Sequence, residues 1–195
     1  MTGGTKKILK KLACVYISIL FMTVSAKATL VNSNSIVQDN IEYYMQTNKD
    51  VYDLGESVEL LYRVTNLGEE DVTIHFTDQV QHYFTIKHGE YLVWDAPKVG
   101  QPAGSKLVLP PSGYKEYTET WDMLDNQRVL IMPANYEVTG SFHPFLLFPE
   151  DDDKYVPVSV QIEIIPEPCT FLLLGSGLIA VLSYRKMKNS SNTYT

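Results

Sequence analysis

Residues 58–65 of this chain, VELLYRVT, decide its fold class. Apolar side chains stand at every second position from residue 58 to residue 64, which is the period of a β-strand that buries one face. The turn-forming residues 66–70, NLGEE, come next, and the alternation resumes over residues 71–77. We expect these two strands to pair as an antiparallel hairpin.

Similar runs recur along the chain and are separated by turns rich in Gly, Pro and Asn. They cover residues 81–87, 91–95, 114–121, 136–142 and 156–164. No stretch between them keeps a helical period over three turns. The pattern predicts an all-β fold, an immunoglobulin-like antiparallel β-sandwich of about seven or eight strands over residues 41–165. The polar residues 29–40 are expected to form a leader before the sandwich.

Charge is distributed unevenly along the chain. Residues 29–165 hold eight Lys or Arg and 22 Asp or Glu, which gives this part a net charge of −14. The other eight basic residues lie in the two ends, where Glu167 is the one acid. Because an acidic central region repels phosphate backbones, the composition argues against nucleic acid as a partner.

The first 28 residues have the pattern of a signal peptide. Four lysines precede an apolar run over residues 12–24, which is about the length that such a region needs. Ala26 and Ala28 supply the small side chains that signal peptidase accepts, so cleavage is expected after Ala28. An uncleaved membrane anchor is the alternative. The expected mature domain contains no cysteine, so its core must hold it together without disulfides.

A second apolar segment lies near the C-terminus. The motif Pro166, Glu167 and Pro168 ends the last strand, because proline removes a backbone donor and restricts the residue before it. Residues 169–184 are uncharged. As a helix they would span about 24 Å, which is short against a hydrocarbon core of about 30 Å. The basic residues that follow are expected to stay in the cytoplasm. They are Arg185, Lys186 and Lys188, and a polar tail, residues 189–195, comes after them.

The order of Pro-Glu-Pro motif, apolar helix and basic cluster over residues 166–188 resembles the PEP-CTERM sorting signal. In that family the signal is recognised by exosortase, a membrane enzyme of Gram-negative bacteria that make extracellular polysaccharide. The resemblance implies an intermediate anchored in the inner membrane through residues 169–184, and then delivery to the cell surface or the extracellular matrix. A plain single-pass anchor is the alternative, and it also leaves the domain outside the cell.

From about residue 59 to residue 141 the order and spacing of turn and aromatic residues resemble the BsuPI family, which is named for an intracellular proteinase inhibitor of bacilli. The resemblance implies a β-sandwich and, for function, the binding of a proteinase. The matching residues include Asn66, Gly68, Phe76, Tyr83, Phe84, Trp94, Pro111, Gly113, Trp121, Pro133, Tyr136 and Gly140.

The sequence contains no constellation typical of catalysis or of a metal site. The histidines lack the spacing of a zinc site, no serine stands in a nucleophile motif, and no glycine loop could hold a phosphate. We therefore expect no enzymatic activity, no cofactor and no metal. The acidic residues 150–153 are expected to form a solvated loop, with calcium binding as the alternative. The four histidines are His75, His82, His88 and His143.

Two functional hypotheses follow from these patterns. The first is an exported, non-catalytic domain that binds a proteinase, with the Pro- and Gly-rich loop 95–105 as the contact. The second is a structural or polysaccharide-binding protein of the extracellular matrix, whose net negative charge would keep a dense layer hydrated. An inhibitor needs one rigid loop that fits a proteinase cleft, whereas a matrix protein binds polysaccharide broadly.

Overall fold

The computed structural model describes residues 31–97, 100, 103–143 and 146–167. These residues form eleven strands and one short 3-10 helix. In chain order they are β1 (Asn32–Gln38), β2 (Ile41–Thr47), β3 (Val51–Asp53), β4 (Val58–Asn66), β5 (Val72–Phe76), β6 (His82–His88), β7 (Tyr91–Ala96), β8 (Ser105–Leu109), β9 (Tyr114–Trp121), β10 (Asn135–Phe142), the 3-10 helix (Pro149–Lys154) and β11 (Val158–Ile165).

The strands form two main sheets and a two-stranded ribbon. The first sheet has the order β1-β2-β4-β9, and the second has the order β3-β11-β10-β6-β7. The ribbon consists of β5 and β8. All pairs are antiparallel except β3 with β11. The predicted all-β sandwich is confirmed. The described residues form more strands than the sequence pattern predicts, because β1, β3 and β8 are polar or short and give no clear alternation.

Alternate side chains from the two main sheets meet in one core. Every second residue of β4 is buried, as the sequence pattern predicts, and β10 and β11 bury alternate residues from the other side. Gly140 of β10 lies where the layers touch. A Cβ at this position would lie 3.0 Å from Tyr62 Cβ and 2.8 Å from Met45 Sδ. The close approach of the two sheets here therefore requires a glycine.

β1 joins the edges of the two sheets, although its sequence is polar. It pairs with β2 in the first sheet, and its amide side chains reach β11 in the second. Asn32 Nδ2 donates to the Gln161 carbonyl at 2.6 Å, and Asn34 Nδ2 donates to the Ser159 carbonyl at 3.0 Å. The segment expected to be a leader thus contains a strand that contributes hydrogen bonds rather than core side chains.

The hairpin predicted between residues 58–65 and 71–77 is wrong. β4 has β2 on one side and β9 on the other, so no edge of β4 is left for β5, which pairs with β8. At the end of β4 the Asn66 N–H donates to the Gly113 carbonyl, and the Ser112 N–H donates to the Asn66 carbonyl. These bonds fix β4 to the turn before β9, and the chain then crosses to the ribbon.

The register of the second sheet defines two ends of the sandwich. At one end Asn135 pairs with Glu163, just before β11 stops, and we call this the exit end. At the other end Phe142 pairs with His82, and β7 stops there at Ala96. We call it the loop end. The eight residues of β10 separate the two ends, which corresponds to about 24 Å of strand.

Within the ranges described, no helix is long and apolar enough to span a membrane. Pro166 and Glu167 directly follow β11 at the exit end. The segments interpreted as a signal peptide (1–28) and as a C-terminal helix (169–184) lie outside the described residues. The same holds for the predicted processing and sorting residues Ala26, Ala28, Pro168, Arg185, Lys186 and Lys188.

Candidate functional site: the base of the loop 95–105

The loop 95–105 connects β7 with β8, so it crosses from the second sheet to the ribbon at the loop end. Its described residues are 95–97, 100 and 103–105. Asp95 and Ala96 belong to β7 and Ser105 begins β8, so the connection between the strands is shorter than the sequence suggests. The peptide bond between Ala96 and Pro97 is cis.

Both carboxylate oxygens of Asp95 hold the first end of the loop. The Tyr83 hydroxyl donates to Oδ2 at 2.9 Å, and Asn126 Nδ2 donates to Oδ1 at 2.6 Å. Tyr83 belongs to β6, whereas Asn126 lies between β9 and β10, so two separate parts of the chain fix this end. Burial, together with the hydrogen bond and charge of Asp95, raises the pKa of Tyr83 to about 12. The hydroxyl therefore remains a donor at neutral pH.

Ser105 holds the second end of the loop. Its hydroxyl donates to the Asp78 carbonyl at 2.6 Å and accepts from Gln81 Nε2 at 3.2 Å. The Tyr117 hydroxyl in turn donates to Gln81 Oε1 at 2.8 Å. These hydrogen bonds connect the loop to β9 in the first sheet. Because both ends are fixed to the framework, less conformational entropy is lost when such a loop binds a partner.

Gly100, which is the described residue between Pro97 and Ala103, is packed as well. A Cβ at Gly100 would lie 2.8 Å from Val80 Cγ2 and 2.9 Å from Asp78 Oδ1. Asp78 is only 2% exposed, and its Oδ1 accepts the Val80 N–H at 2.9 Å. Only a residue without a Cβ can come this close to the turn before β6.

Two histidines lie beside these anchoring residues. The His82 ring stacks on Tyr117 with centroids 4.5 Å apart, and the His143 ring lies 4.7 Å from the ring of Tyr83. Burial lowers the pKa of His82 to about 4, and burial also lowers the pKa of His143. Both rings are therefore neutral at pH 7, and the 3.8 Å approach of His82 Nε2 to Glu119 is not an ion pair at that pH.

The sequence pointed to this loop but not to the residues that fix it. Asp78, Gln81, Tyr117 and Asn126 are ordinary polar or aromatic residues at positions distant in the chain. Gln81 and Tyr117, for example, are 36 residues apart. Only the packing of β6, β9 and the ribbon brings them together, and no local sequence signal marks them.

Several of the predicted family-like residues meet at the end of β4. Asn66 is fully buried, and its Nδ2 donates to the Leu109 carbonyl at 2.9 Å and to the Glu70 carbonyl at 2.7 Å. The Gly68 N–H donates to Asn66 Oδ1 at 2.8 Å. The Asn66 N–H donates to the Gly113 carbonyl at 2.9 Å. Asn66 thus joins β4, β8 and the turn before β9, which is a structural role.

The other family-like residues line the core or connect strands. Trp121 is fully buried, and its ring centroid lies 6.4 Å from that of Trp94 and 5.8 Å from that of Tyr136. The Tyr136 hydroxyl donates to the Met132 carbonyl at 2.6 Å, a bond typical of the tyrosine corner in β-sandwiches. The remaining residues are Phe76 and Phe84 in the core, Gly140 between the sheets, and Pro111 and Pro133 between strands.

The acidic residues 150–153 do not form the fully solvated loop that was expected. They lie in the 3-10 helix, and Asp151 is only 8% exposed. Its Oδ2 accepts the His75 N–H at 2.7 Å and lies 3.1 Å from His75 Nδ1. The carboxylate therefore connects the helix to β5. Among the described residues, no group of His, Cys, Asp and Glu side chains is arranged to hold a metal ion.

Comparison with known families gives a match to about half of the chain. The family described as BsuPI, intracellular proteinase inhibitor, matches residues 45–143, which is just over half of the chain. The match begins within β2 and ends just after β10, so it includes the whole loop 95–105 and the residues that anchor it. No curated protein sequence matches the chain.

Solved structures with a related arrangement of strands are distant. The CARDB domain of the PF1109 protein from Pyrococcus furiosus, solved in complex with di-metal ions, is 12% identical. The match covers 73% of this chain and 100% of that one, with a TM-score of 0.35. A β-glucosidase from Listeria innocua is 10% identical over 70% of this chain and 16% of its own, with a TM-score of 0.33. Likenesses with such low scores carry no functional argument.

Proposed function

This chain belongs to the BsuPI family of intracellular proteinase inhibitors, and from that premise we propose that its β-sandwich is a non-catalytic domain that binds a proteinase. The proposed contact is the loop 95–105. The observation that carries this proposal is the fixing of both loop ends, by Tyr83 and Asn126 at Asp95 and by hydrogen bonds of Ser105. A substrate-like inhibitor needs such a pre-organised segment, because rigidity in the bound conformation reduces the entropic cost of binding.

The position of the loop supports the proposal in a second way. The chain leaves β11 at the exit end, whereas the loop 95–105 lies at the opposite end of the sandwich. A domain held to a membrane or surface layer through residues after Glu167 would therefore direct this loop outward. The proteinase could then approach the loop without meeting the attachment surface.

The proposal includes export, in contrast to the intracellular inhibitor for which the family is named. The N-terminal segment is proposed to be removed by signal peptidase after Ala28. Residues 166–188 are proposed to act as a PEP-CTERM signal that exosortase recognises in a Gram-negative host, which would deliver the domain to the cell surface. The sequence patterns described above support this route.

Inhibition can be tested with a panel of serine proteases that includes subtilisin types. Residues 29–167 contain all eleven strands and the closed core, so this fragment is suited to the assay. We expect saturable inhibition of at least one protease, and its loss when residues 97–104 are replaced by a Gly-Ser linker of equal length. The matched control replaces the His88–Glu90 turn at the exit end, which should leave inhibition unchanged. Full protease activity throughout, or equal inhibition by both variants, would reject the proposal.

Sorting can be tested separately by mass spectrometry of the mature protein from its native host. Removal of both terminal segments predicts a chain that begins at Thr29 and lacks the residues after the Pro-Glu-Pro region. Substitution of Glu167 by Ala should cause the unprocessed chain to accumulate. An intact C-terminus in the wild-type protein would contradict sorting by exosortase while leaving the inhibitor proposal untouched.

A further inference from the structure

The outer face of the second sheet, on the side opposite to the core, carries an open groove. Its volume is about 400 Å³, which lies within the range of sites for small molecules. Side chains with hydroxyl groups dominate its lining. They are Tyr83, Thr85, Thr139, Ser141, Tyr155 and Ser159.

Strand register places these hydroxyl groups in rows across the sheet. Thr85 of β6 pairs with Thr139 of β10, and Thr139 pairs with Ser159 of β11. Because neighbouring strands are about 4.8 Å apart, this row of three side chains spans about 10 Å. Tyr83 and Ser141 form the adjacent row. The groove therefore presents regularly spaced groups that can each donate and accept a hydrogen bond.

Two of the hydroxyl groups in the groove already form a pair, and Ser141 lies beside them. Ser141 is 3% exposed and lines the groove beside Tyr83, its partner in the strand register. Thr139 Oγ1 and Ser159 Oγ lie 2.8 Å apart, and either can be the donor. Because each hydroxyl group can both donate and accept, a ligand hydroxyl could form a further hydrogen bond with this pair.

The charges of the groove define the ligand further. Among the residues that line it, Lys87 and Glu137 are the charged ones, and they lie opposite each other on β6 and β10. The groove is therefore close to neutral, although residues 29–165 together carry a net charge of −14. A strongly anionic or cationic ligand would find no net complementary charge here, because Lys87 and Glu137 offset each other.

Two aromatic rings complete the site. Tyr155 is 42% exposed at the edge of the groove, and the Tyr83 ring is held in place by the hydrogen bond to Asp95. Aromatic rings offer an apolar face beside a polar group, which suits a sugar ring with its apolar C–H face and peripheral hydroxyls. We propose that this groove binds a neutral oligosaccharide segment, through the hydroxyls of Thr85, Thr139, Ser141 and Ser159 and the ring of Tyr155.

The test is affinity electrophoresis of the full chain in micelles of a detergent without a sugar headgroup. The gels contain dextran, laminarin, galactomannan or hydroxyethyl cellulose, with anionic alginate and pure acrylamide for comparison. We expect retardation by at least one neutral polysaccharide. Tyr155→Ala and Thr85→Val should each weaken the affinity about tenfold, the effect of losing one good contact. Tyr114→Ala changes an exposed tyrosine outside the groove, 63% exposed against 42% for Tyr155, and this control variant should bind normally.

Ser141→Ala separates binding from folding. Because the substitution removes one hydroxyl group and keeps the rest of the residue, the thermal midpoint should change little, while the affinity falls about tenfold. Retardation by alginate alone, no retardation by any neutral polysaccharide, or normal binding by Ser141→Ala and Tyr155→Ala would overturn the proposal. The loop replacement of residues 97–104 should leave this binding unchanged, so the result is independent of proteinase inhibition.

Discussion

Replacing Asn66 with Ala should destabilise the sandwich more than any exposed polar substitution. The change removes the two hydrogen bonds donated by Asn66 Nδ2 and the one accepted by its Oδ1. The carbonyls of Leu109 and Glu70 and the N–H of Gly68 would then lose their partners. At about 1 kcal/mol for each bond, the expected loss in the free energy of unfolding is about 3 kcal/mol. For a domain of this size, that lowers the thermal midpoint by about 10 °C.

The assay is urea unfolding of residues 29–167, followed by tryptophan fluorescence, for which the fully buried Trp121 is a probe. Asn34→Ala is the matched control, because Asn34 also donates to a backbone carbonyl but is exposed to water; its cost should stay below about 1 kcal/mol. Asn66→Asp keeps the acceptor for Gly68 but loses both donations and buries a charge, so it should be at least as destabilising at pH 7. Equal costs for Asn66→Ala and Asn34→Ala would refute this account of Asn66.

Two further predictions concern packing and pH. Gly140→Ala should lower the free energy of unfolding by about 1–3 kcal/mol, because its Cβ would meet Tyr62 Cβ. Gly104→Ala is the control, because its Cβ would make only an ordinary contact. In the same urea assay its effect should be less than half as large. Burial lowers the pKa of His82 from its ordinary 6.5 to about 4 in the fold. The unfolded chain therefore binds more protons between these values, and stability falls as the pH drops through this window. Between pH 7.5 and pH 5 this protonation lowers the free energy of unfolding by at most about 2 kcal/mol. The variant His82→Phe should lose that part of the pH dependence. Parallel plots of unfolding free energy against pH for the two proteins would exclude His82 as the cause.

Parts of the fold could be predicted from the sequence because they depend on local patterns. β4 and β11 alternate cleanly, so their buried faces follow from period two. The β6–β7 hairpin follows from His88 and Gly89, and Gly89 adopts the expected positive φ of 58°. Strand pairing over longer distances could not be predicted. The partner of β5 is β8, because the long connection after Asn66 leads to another layer and nothing in residues 66–71 specifies that.

In the candidate site too, the loop could be predicted from its local sequence, whereas the residues that anchor it could not. The Pro- and Gly-rich composition of residues 95–105 marks a loop, but its rigidity depends on Gln81 and Tyr83 at the start of β6 and on Asn126 between β9 and β10. The polar segment with Asn32 and Asn34 gave no strand signal, because its side chains bond to β11 rather than enter the core. Such roles depend on tertiary neighbours and are not encoded in any single stretch.

The most direct test of the central claim is the inhibition constant of residues 29–167 compared with that of the double variant Tyr83→Phe and Ser105→Ala. Each substitution removes an anchoring hydroxyl and keeps the rest of the side chain, and the loop residues between the strands stay unchanged. If the fixed loop ends make this domain a proteinase inhibitor, the double variant should inhibit about 10- to 100-fold more weakly, because it loses three anchoring hydrogen bonds, one at Tyr83 and two at Ser105. Equal inhibition by the two proteins, or no inhibition by the parent domain, would contradict the claim.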